Sequence, residues 1–265
     1  MMQREITLDS INDRLVFLMS APDQDFWEAL WRPLLTREAI LRGDRFVTSE
    51  TKRVLPKGSR VIDAGCGIAA TVAGLQAAGF DACGIDNAEE TVREINRLVP
   101  ELKVEVANVL DLPFETGSLD GIWSLGVIEH FYDGFAPLIE EARRVLRPGG
   151  YLFLTVPSIS PLKSLKRRLG CYPPYDETKR AAFFQFAFPP AHVVDSIEAQ
   201  GFRLQRSCGR DGSFGFFEDA PALSRALMLR DDATSLPLRA WWRFADLALT
   251  PFSYHIRFFL FQKTA

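Results

Sequence analysis

Several familiar signals are scarce in this chain. Its four cysteines, Cys66, Cys83, Cys171 and Cys208, show neither CxxC nor metal-ligand spacing, which argues against a disulfide framework or a zinc site. They read as reduced, mostly packed thiols of a cytoplasmic protein. Only three histidines occur, His130, His192 and His255, and no cluster of His, Cys and carboxylates stands out, so no metal is expected. No apolar run approaches the roughly 20 residues of a membrane span. The polar start MMQREITLDSIND lacks the basic–apolar–small pattern of a secretory signal. Positive charge is not in excess either. With 31 Lys and Arg against 34 Asp and Glu, the net charge of −3 argues against a general nucleic-acid binder. The absence of a fixed-period repeat favours one continuous domain over an array.

Across 265 residues, 47% hydrophobic and 25% charged composition suits a soluble globule with a real core. Phenylalanine is abundant, at 21 residues, and clusters late in FFQFAF (183–188), FGFF (214–217) and FF (258–259). These fill a core and strands, or else line an apolar substrate chamber or a membrane-touching face.

Residues 1–50 read as an amphipathic helical cap, with FWEALW at 26–31, Asp25 as a cap and Pro33 as a kink or stop. The pattern then alternates. Strands are expected at 60–63, 80–86, 103–108, 118–125 and 151–156. Helices are expected at 69–78, stopped by Gly79, at 88–99, halted by Pro100, and at 134–146, with RPGG (147–150) as a turn. Four βα-type repeats with short connections mean a parallel sheet wrapped by helices. After an irregular stretch at 157–190 come a helix at 191–200, a strand at 202–208, a loose segment with some helix, and a final strand at 254–262. Insertions at 157–190 and 209–250 follow strands, at or near the binding edge of such a sheet.

The stretch VIDAGCGIAA (61–70) holds the chemistry. A strand, a glycine turn and a helix in succession form an anion- or nucleotide-binding layout. Gly65 and Gly67 let a ligand lie against the main chain where a Cβ would collide. Asp63 would repel a pyrophosphate and attract a cationic or amino-bearing ligand. Asp86, ending the next strand, is placed to accept both hydroxyl protons of a ribose. The expected ligand is a nucleoside with a positive or amino-acid portion.

VIDAGCG, GID (84–86), NVLDLPF (108–114), SLDGIWSLGVIEHF (118–131) and LRPGGYLFLTVP (146–157) together resemble the ordered motifs of class I S-adenosylmethionine-dependent methyltransferases. The nearest group acts on small molecules and lipid-like quinones. The resemblance covers 58–157 strongly, and 183–208 and 254–264 loosely. It implies an α/β, doubly wound, mostly parallel seven-stranded sheet with an antiparallel last strand. It divides the chain into the cap, 1–50, and a methyltransferase domain, 51–265, with variable substrate-side insertions at 157–190 and 209–250. It also implies roles. Asp63, Gly65 and Gly67 would surround the methionine part of S-adenosylmethionine, with Leu125 offering its backbone nearby. Asp86 would hold the ribose diol and Asn87 would lie along the adenine. Asn108 stands where the family usually has an aspartate that accepts from the adenine amino group, and the Val109 amide would reach a ring nitrogen. Two positions depart from the pattern: Ala69 replaces a third glycine, and Asn108 replaces the acid while keeping an acceptor oxygen.

Methyl transfer from a sulfonium needs alignment more than a strong base, yet an O or N nucleophile must still lose a proton. His130 is the catalytic candidate, as general base or substrate contact, against the alternative that it anchors its loop. Glu129 reads as orienting His130 or a backbone amide, and His192 and His255 as structural. Trp27 and Trp31 form either a lid over the cofactor or the buried stripe of a helix. Tyr172, Tyr175, Phe184 and Phe186 are the expected substrate wall. KSLKRR (163–168) is a solvated face, or a contact for phosphate or an anionic membrane surface. The expected partner is a small-molecule acceptor. Two rivals stand beside this reading. One is a catalytically degenerate, cofactor-binding partner subunit. The other is an NAD-type oxidoreductase, onto whose GxGxxG/A motif Gly65, Gly67 and Ala70 can be forced, but which predicts an apolar residue in place of Asp63.

Overall fold

The structure, a computed structural model, describes residues 5–19, 22–220, 223 and 236–264. They fall into two compact units, one drawn from 1–21, 155–195 and 206–259, the other from 22–154, 196–205 and 260–265.

The second unit carries the βα alternation. Its strands are β3 (Arg60–Ala64), β4 (Asp81–Asp86), β5 (Val104–Val106), β6 (Leu119–Leu125) and the first part of β7 (Leu146–Pro157). Together with β9 (Phe202–Arg210) and β10 (Ile256–Lys263) they build a seven-stranded sheet in the order β5-β4-β3-β6-β7-β10-β9. β3 runs parallel to β4 and β6, and β4 parallel to β5, while the β10–β9 end is antiparallel. RPGG is not a separate turn as expected. It lies inside β7, where Gly149 takes φ +75° and extended pairing continues past it.

Helices α4 (Ala70–Ala77), α5 (Glu89–Leu98) and α6 (Ala136–Val145) connect the strands and bury Val72, Leu75, Val92, Ile95, Leu138, Ile139, Ala142 and Val145. Such one-sided burial is the usual reason an amphipathic segment folds as a helix on a sheet. At the sheet's centre Trp123 stacks on Phe153 with ring centroids 4.4 Å apart, and its Nε1–H donates to Thr51 Oγ1 at 2.9 Å. That bond anchors α3 (Arg45–Val54), which follows α1 (Gln24–Trp31) and α2 (Arg37–Leu41). Asp23, not Asp25, caps α1 by accepting from the Phe26 N–H at 2.8 Å, and Pro33 sits in a following 3-10 turn.

In the first unit residues 5–18 are strands and not the expected helix. β1 (Glu5–Asp9) and β2 (Arg14–Leu18) form an antiparallel hairpin, and β8 (Phe183–Ala187) pairs with β2. The turn residues Ser10–Asp13, with Asp13 at φ +51°, break the helical period, and the run Leu15–Leu18 is buried. The aromatic run at 183–188 is therefore largely strand. α7 (Pro161–Arg168) and α8 (Pro190–Glu198) flank it. The later segment contributes α9 (Gly212–Asp219) and α10 (Leu236–Ser253); residues 221–222 and 224–235 of the expected 209–250 insertion lie outside the described residues. All four thiols are free, with Cys66 buried and Cys171 exposed.

Candidate active site

Parallel strands β4, β3 and β6 are neighbours, so their carboxyl ends open on one edge of the sheet. Both acids of the sequence pattern stand there. The glycine turn after β3 is tied to β4 by Gly65 N–H and Cys66 N–H, which donate to Ile85 O at 2.7 and 3.0 Å. Asp86 continues that tie. Its Oδ2 accepts from Gly67 N–H at 2.8 Å and its Oδ1 from Ala88 N–H at 3.0 Å, at the start of α5. Burial raises the Asp86 pKa and these amides act against the rise.

Asp63 is buried, and its Oδ1 has no hydrogen-bond partner. Burial holds its pKa well above the ordinary carboxylate value, opposed by a Thr71 side-chain hydrogen bond and reinforced by the nearby Asp86 charge. An unpaired buried carboxylate oxygen is costly unless something cationic meets it. Gly65 and Gly67 take φ +85° and +50°, and Ala69 takes φ +59° at the entrance to α4. The neighbours of the two glycines are side chains of the protein. A Cβ on Gly65 would approach Val127 Cγ2 to 2.7 Å, and one on Gly67 would approach Trp31 Cζ2 to 2.9 Å. No sequence signal pointed to Val127.

Asn87 is exposed beside Asp86. Asn108 and Val109 reach the same edge because Ala107 N–H donates to Asp86 O at 3.1 Å just after β5. The Asn108 side-chain oxygen accepts from Leu110 N–H at 2.9 Å, so one of its acceptor positions is already used within its own turn. Leu125 ends β6 and is half-buried, and Gly126 follows at φ +70°.

A 3-10 turn, Ile128–His130, then positions the Glu-His pair. The half-buried His130 ring packs edge-on against Trp27, centroids 4.9 Å apart. Trp27 in turn stacks on Trp31 at 6.2 Å, so one aromatic row runs from His130 to Gly67. Glu28 on the same helix accepts from Glu90 N–H at 3.3 Å at the start of α5. Glu129 is buried, its Oε2 lacks a partner, and burial pushes its pKa up to about 8, its own backbone N–H acting against that rise.

The expected substrate wall lies in the other unit, and two of its four residues are core. Tyr172 is buried and donates to Asp219 Oδ1 at 3.0 Å, while Phe186 is fully buried beneath the Arg14 guanidinium. Tyr175 and Phe184 are half-buried. Lys163 overturns the solvated reading of KSLKRR at its first residue. It is 1% exposed, with Nζ 3.0 Å from Glu218 Oε2 and 2.8 Å from Asp219 Oδ2. His192 stacks on Phe188, and His255 Nδ1 lies 3.3 Å from Glu218 Oε2. Among the described residues no group of three or more His, Cys, Asp or Glu could hold a metal, and no helix is long and apolar enough to cross a membrane.

This sheet order, with an acid and a glycine turn after one central strand and a second acid ending its neighbour, defines a class I S-adenosylmethionine-dependent methyltransferase fold. Residues 62–154 match the family model described as Methyltransferase domain. A probable S-adenosylmethionine-dependent methyltransferase of Mycolicibacterium smegmatis is 27% identical over 152 residues, covering 57% of this chain and 55% of that protein. The 2-methyl-6-phytyl-1,4-hydroquinone methyltransferase of Synechocystis sp. is 35% identical over 102 residues, covering 37% and 32%. The chain thus spans about half or less of the length of these curated relatives. In fold, an S-adenosylmethionine dependent methyltransferase from Mesorhizobium loti superposes with a TM-score of 0.55 at 14% identity, over 84% of this chain and 100% of that one.

Family and fold imply S-adenosylmethionine as the cofactor. The residues present fit it in charge: the unpaired Asp63 Oδ1 sits beside the glycine turn and suits a positive group. The indole of Trp31 lies where a ligand would rest on Gly67, so the fit requires that ring to shift.

Proposed function

We propose that this protein transfers a methyl group from S-adenosylmethionine to a small, apolar or lipid-like acceptor by in-line displacement. The observation that carries the proposal is the pair of buried carboxylates, Asp63 and Asp86, at the ends of adjacent parallel strands on either side of the Gly65–Gly67 turn. When bound, the cofactor supplies an electrophilic methyl and its own leaving group. The chain's share is to hold, align and exclude water, and good alignment is worth roughly 7–11 kcal/mol.

In this reading Asp63, Gly65, Gly67 and the Leu125 backbone take the methionine portion. Asp86 accepts from the ribose hydroxyls, and Asn87, Asn108 and Val109 line the adenine. His130 takes the proton of the acceptor at an imidazole nitrogen, a role worth about 10²–10⁴-fold. Its edge-on contact with Trp27 supports this role by limiting ring rotation. α1, with Trp27 and Trp31, acts as the lid. The methyltransferase domain takes 51–265, and acceptor choice rests with 157–190 and 209–250.

An apolar acceptor is supported by the abundance of phenylalanine and by the relative named for a phytyl hydroquinone. The net charge of −3 speaks against nucleic acid, and the four free thiols suit the cytoplasm. The second reading is a cofactor-binding but catalytically degenerate partner subunit. Trp31 against Gly67 and the engaged Asn108 oxygen favour it.

Calorimetric titration with S-adenosylmethionine, its demethylated product and NADH, followed by methyl transfer to phenols, hydroquinones and a water-soluble sugar, tests both. Binding of the first two with turnover of a hydroquinone is expected. Binding without turnover of any acceptor favours the degenerate subunit. NADH binding alone, or activity only on the sugar, overturns the proposal.

A further inference from the structure

α10 shows water a face that a protein interior would ordinarily hide. Its inner side packs on α9, where Ala245 and Leu249 meet Phe216, and Leu162 of α7 joins the same cluster. Two glycines bring the helices into backbone contact: a Cβ on Gly212 would run into Thr250, and one on Gly215 into Ser253. Asp246 also points inward, accepting from Ser213 N–H and Oγ–H at 2.9 and 2.8 Å. The helix is therefore pinned, and the side it turns outward is set by packing. That side carries Trp241, Phe244, Leu247 and Phe252, which are 46%, 63%, 76% and 43% exposed. Helical spacing places Phe244 and Leu247 on the side away from Leu249, with Trp241 and Phe252 at its margin, next to Ala245. α7 adds Leu165 and, just past its end, Leu169, at 47% and 69% exposed. Scattered apolar side chains on a surface need no explanation, but an apolar stripe along a packed helix does.

Two exposed cations, Arg243 and Arg168, stand beside the stripe, while Lys166 is held 3.1 Å from Asp219 Oδ1 and Arg167 pairs with Asp13. The only carboxylate within 161–169 and 240–253 is the inward-turned Asp246. In a chain of net charge −3, these two exposed arginines are a local feature.

We propose that the outer faces of α7 and α10 form a docking surface for an anionic lipid bilayer, with Trp241, Phe244, Leu247 and Phe252 seated at the headgroup boundary. Tryptophan, phenylalanine and leucine flanked by arginine are the side chains that an interfacial helix uses, and neither helix is long and apolar enough to span. A second copy of the chain fits less well, because two-fold pairing would bring the exposed Arg168 and Arg243 of both copies to one face. Anionic headgroups would neutralise them. The proposal gives the expected membrane contact a place, and its link to the proposed function is the lipid-like acceptor, which would be met in the bilayer.

Flotation of the full chain with phosphatidylcholine vesicles, with and without phosphatidylglycerol, tests it in the absence of cofactor and acceptor. A failure here is therefore distinct from a failure of methyl transfer. Partition onto the anionic vesicles is expected, weakening at high salt. The Phe244→Glu/Leu247→Glu variant should lower partition at least tenfold, and Arg168→Glu/Arg243→Glu several-fold, with circular dichroism and cofactor binding unchanged. All four side chains are exposed, so the variants should fold. Absence of binding to anionic vesicles, or equal binding by the Phe244/Leu247 variant, overturns the proposal. So does light scattering that shows a dimer dissociated by that variant while vesicles go unbound, which would assign the face to a second copy.

Discussion

The Gly67 N–H donates to the Asp86 carboxylate at 2.8 Å, so the glycine turn after β3 is held by the acid that ends β4. One side chain thereby shapes the loop and, in the proposed function, meets the ribose. Asp86→Ala removes both contacts. Hydrogen bonds to a charged group are worth about 1.5–3 kcal/mol each, so S-adenosylmethionine affinity should fall roughly ten- to a hundredfold or more. Asp86→Asn, which keeps an acceptor for Gly67, should lose less. Calorimetry on folded variants measures this, and equal losses in the two would separate the loop contact from cofactor binding.

Gly67 and Trp31 should show energetic coupling. Gly67→Ala forces a Cβ to 2.9 Å from the indole and places alanine at φ +50°. The backbone part costs about 1–2 kcal/mol, and the collision adds to it. In Gly67→Ala/Trp31→Ala the collision disappears and only the backbone part remains. Urea unfolding of the four proteins of the cycle gives the coupling, and strict additivity would show that the indole does not rest there in solution.

Glu129 sets a pH dependence. Burial lifts its carboxyl from 4.5 to about 8. Between those values the folded chain holds a proton that the unfolded chain has released. Its stabilising contribution is thus fully present below about pH 4.5 and is lost as pH rises toward 8, at up to about 1.4 kcal/mol per pH unit for one proton. The raised Asp63 pKa acts in the same direction. Glu129→Gln should flatten the fall in stability between pH 5 and 8. Denaturation midpoints across that range decide it, and an unchanged slope in the variant would remove Glu129 as its source.

His130→Ala should lower turnover at least tenfold with cofactor affinity preserved, and should abolish any acid limb of the rate profile that belongs to the imidazole. An unchanged rate would leave His130 as the aromatic neighbour of Trp27 and nothing more.

Ala69 lies at φ +59°, in the region that favours glycine, where the sequence pattern lacks its third glycine. Ala69→Gly should therefore be neutral or stabilising by up to about 1 kcal/mol, the relief of φ strain offset by a freer unfolded chain. Thermal or urea denaturation reads this directly, and a clear destabilisation would contradict it.

Local chemistry carried the sequence a long way. From Arg60 to Val156 the alternation of apolar strands with helices closed by Gly79 or Val99–Pro100 needed only period and turn residues, and the observed elements follow it to within a few positions. Asp63, Asp86, Asn108 and Leu125 reach one edge because parallel strands joined by helices must bring their carboxyl ends together. What failed depended on partners remote in sequence. Leu15–Leu18 is buried as a strand between two partners, the local β1 and β8 more than 160 residues later, and only the first lies within reach of a sequence pattern. Lys163 left the solvent because Glu218 and Asp219 wait for it inside. The nearest neighbours of Gly65 and Gly67, Val127 and Trp31, come from other elements, and no spacing rule contains them. The sequence by itself settled which backbone conformations are affordable and in what order. Only tertiary packing decided which side chains share a space, because such contacts depend on the simultaneous fit of segments that do not meet until the chain has folded.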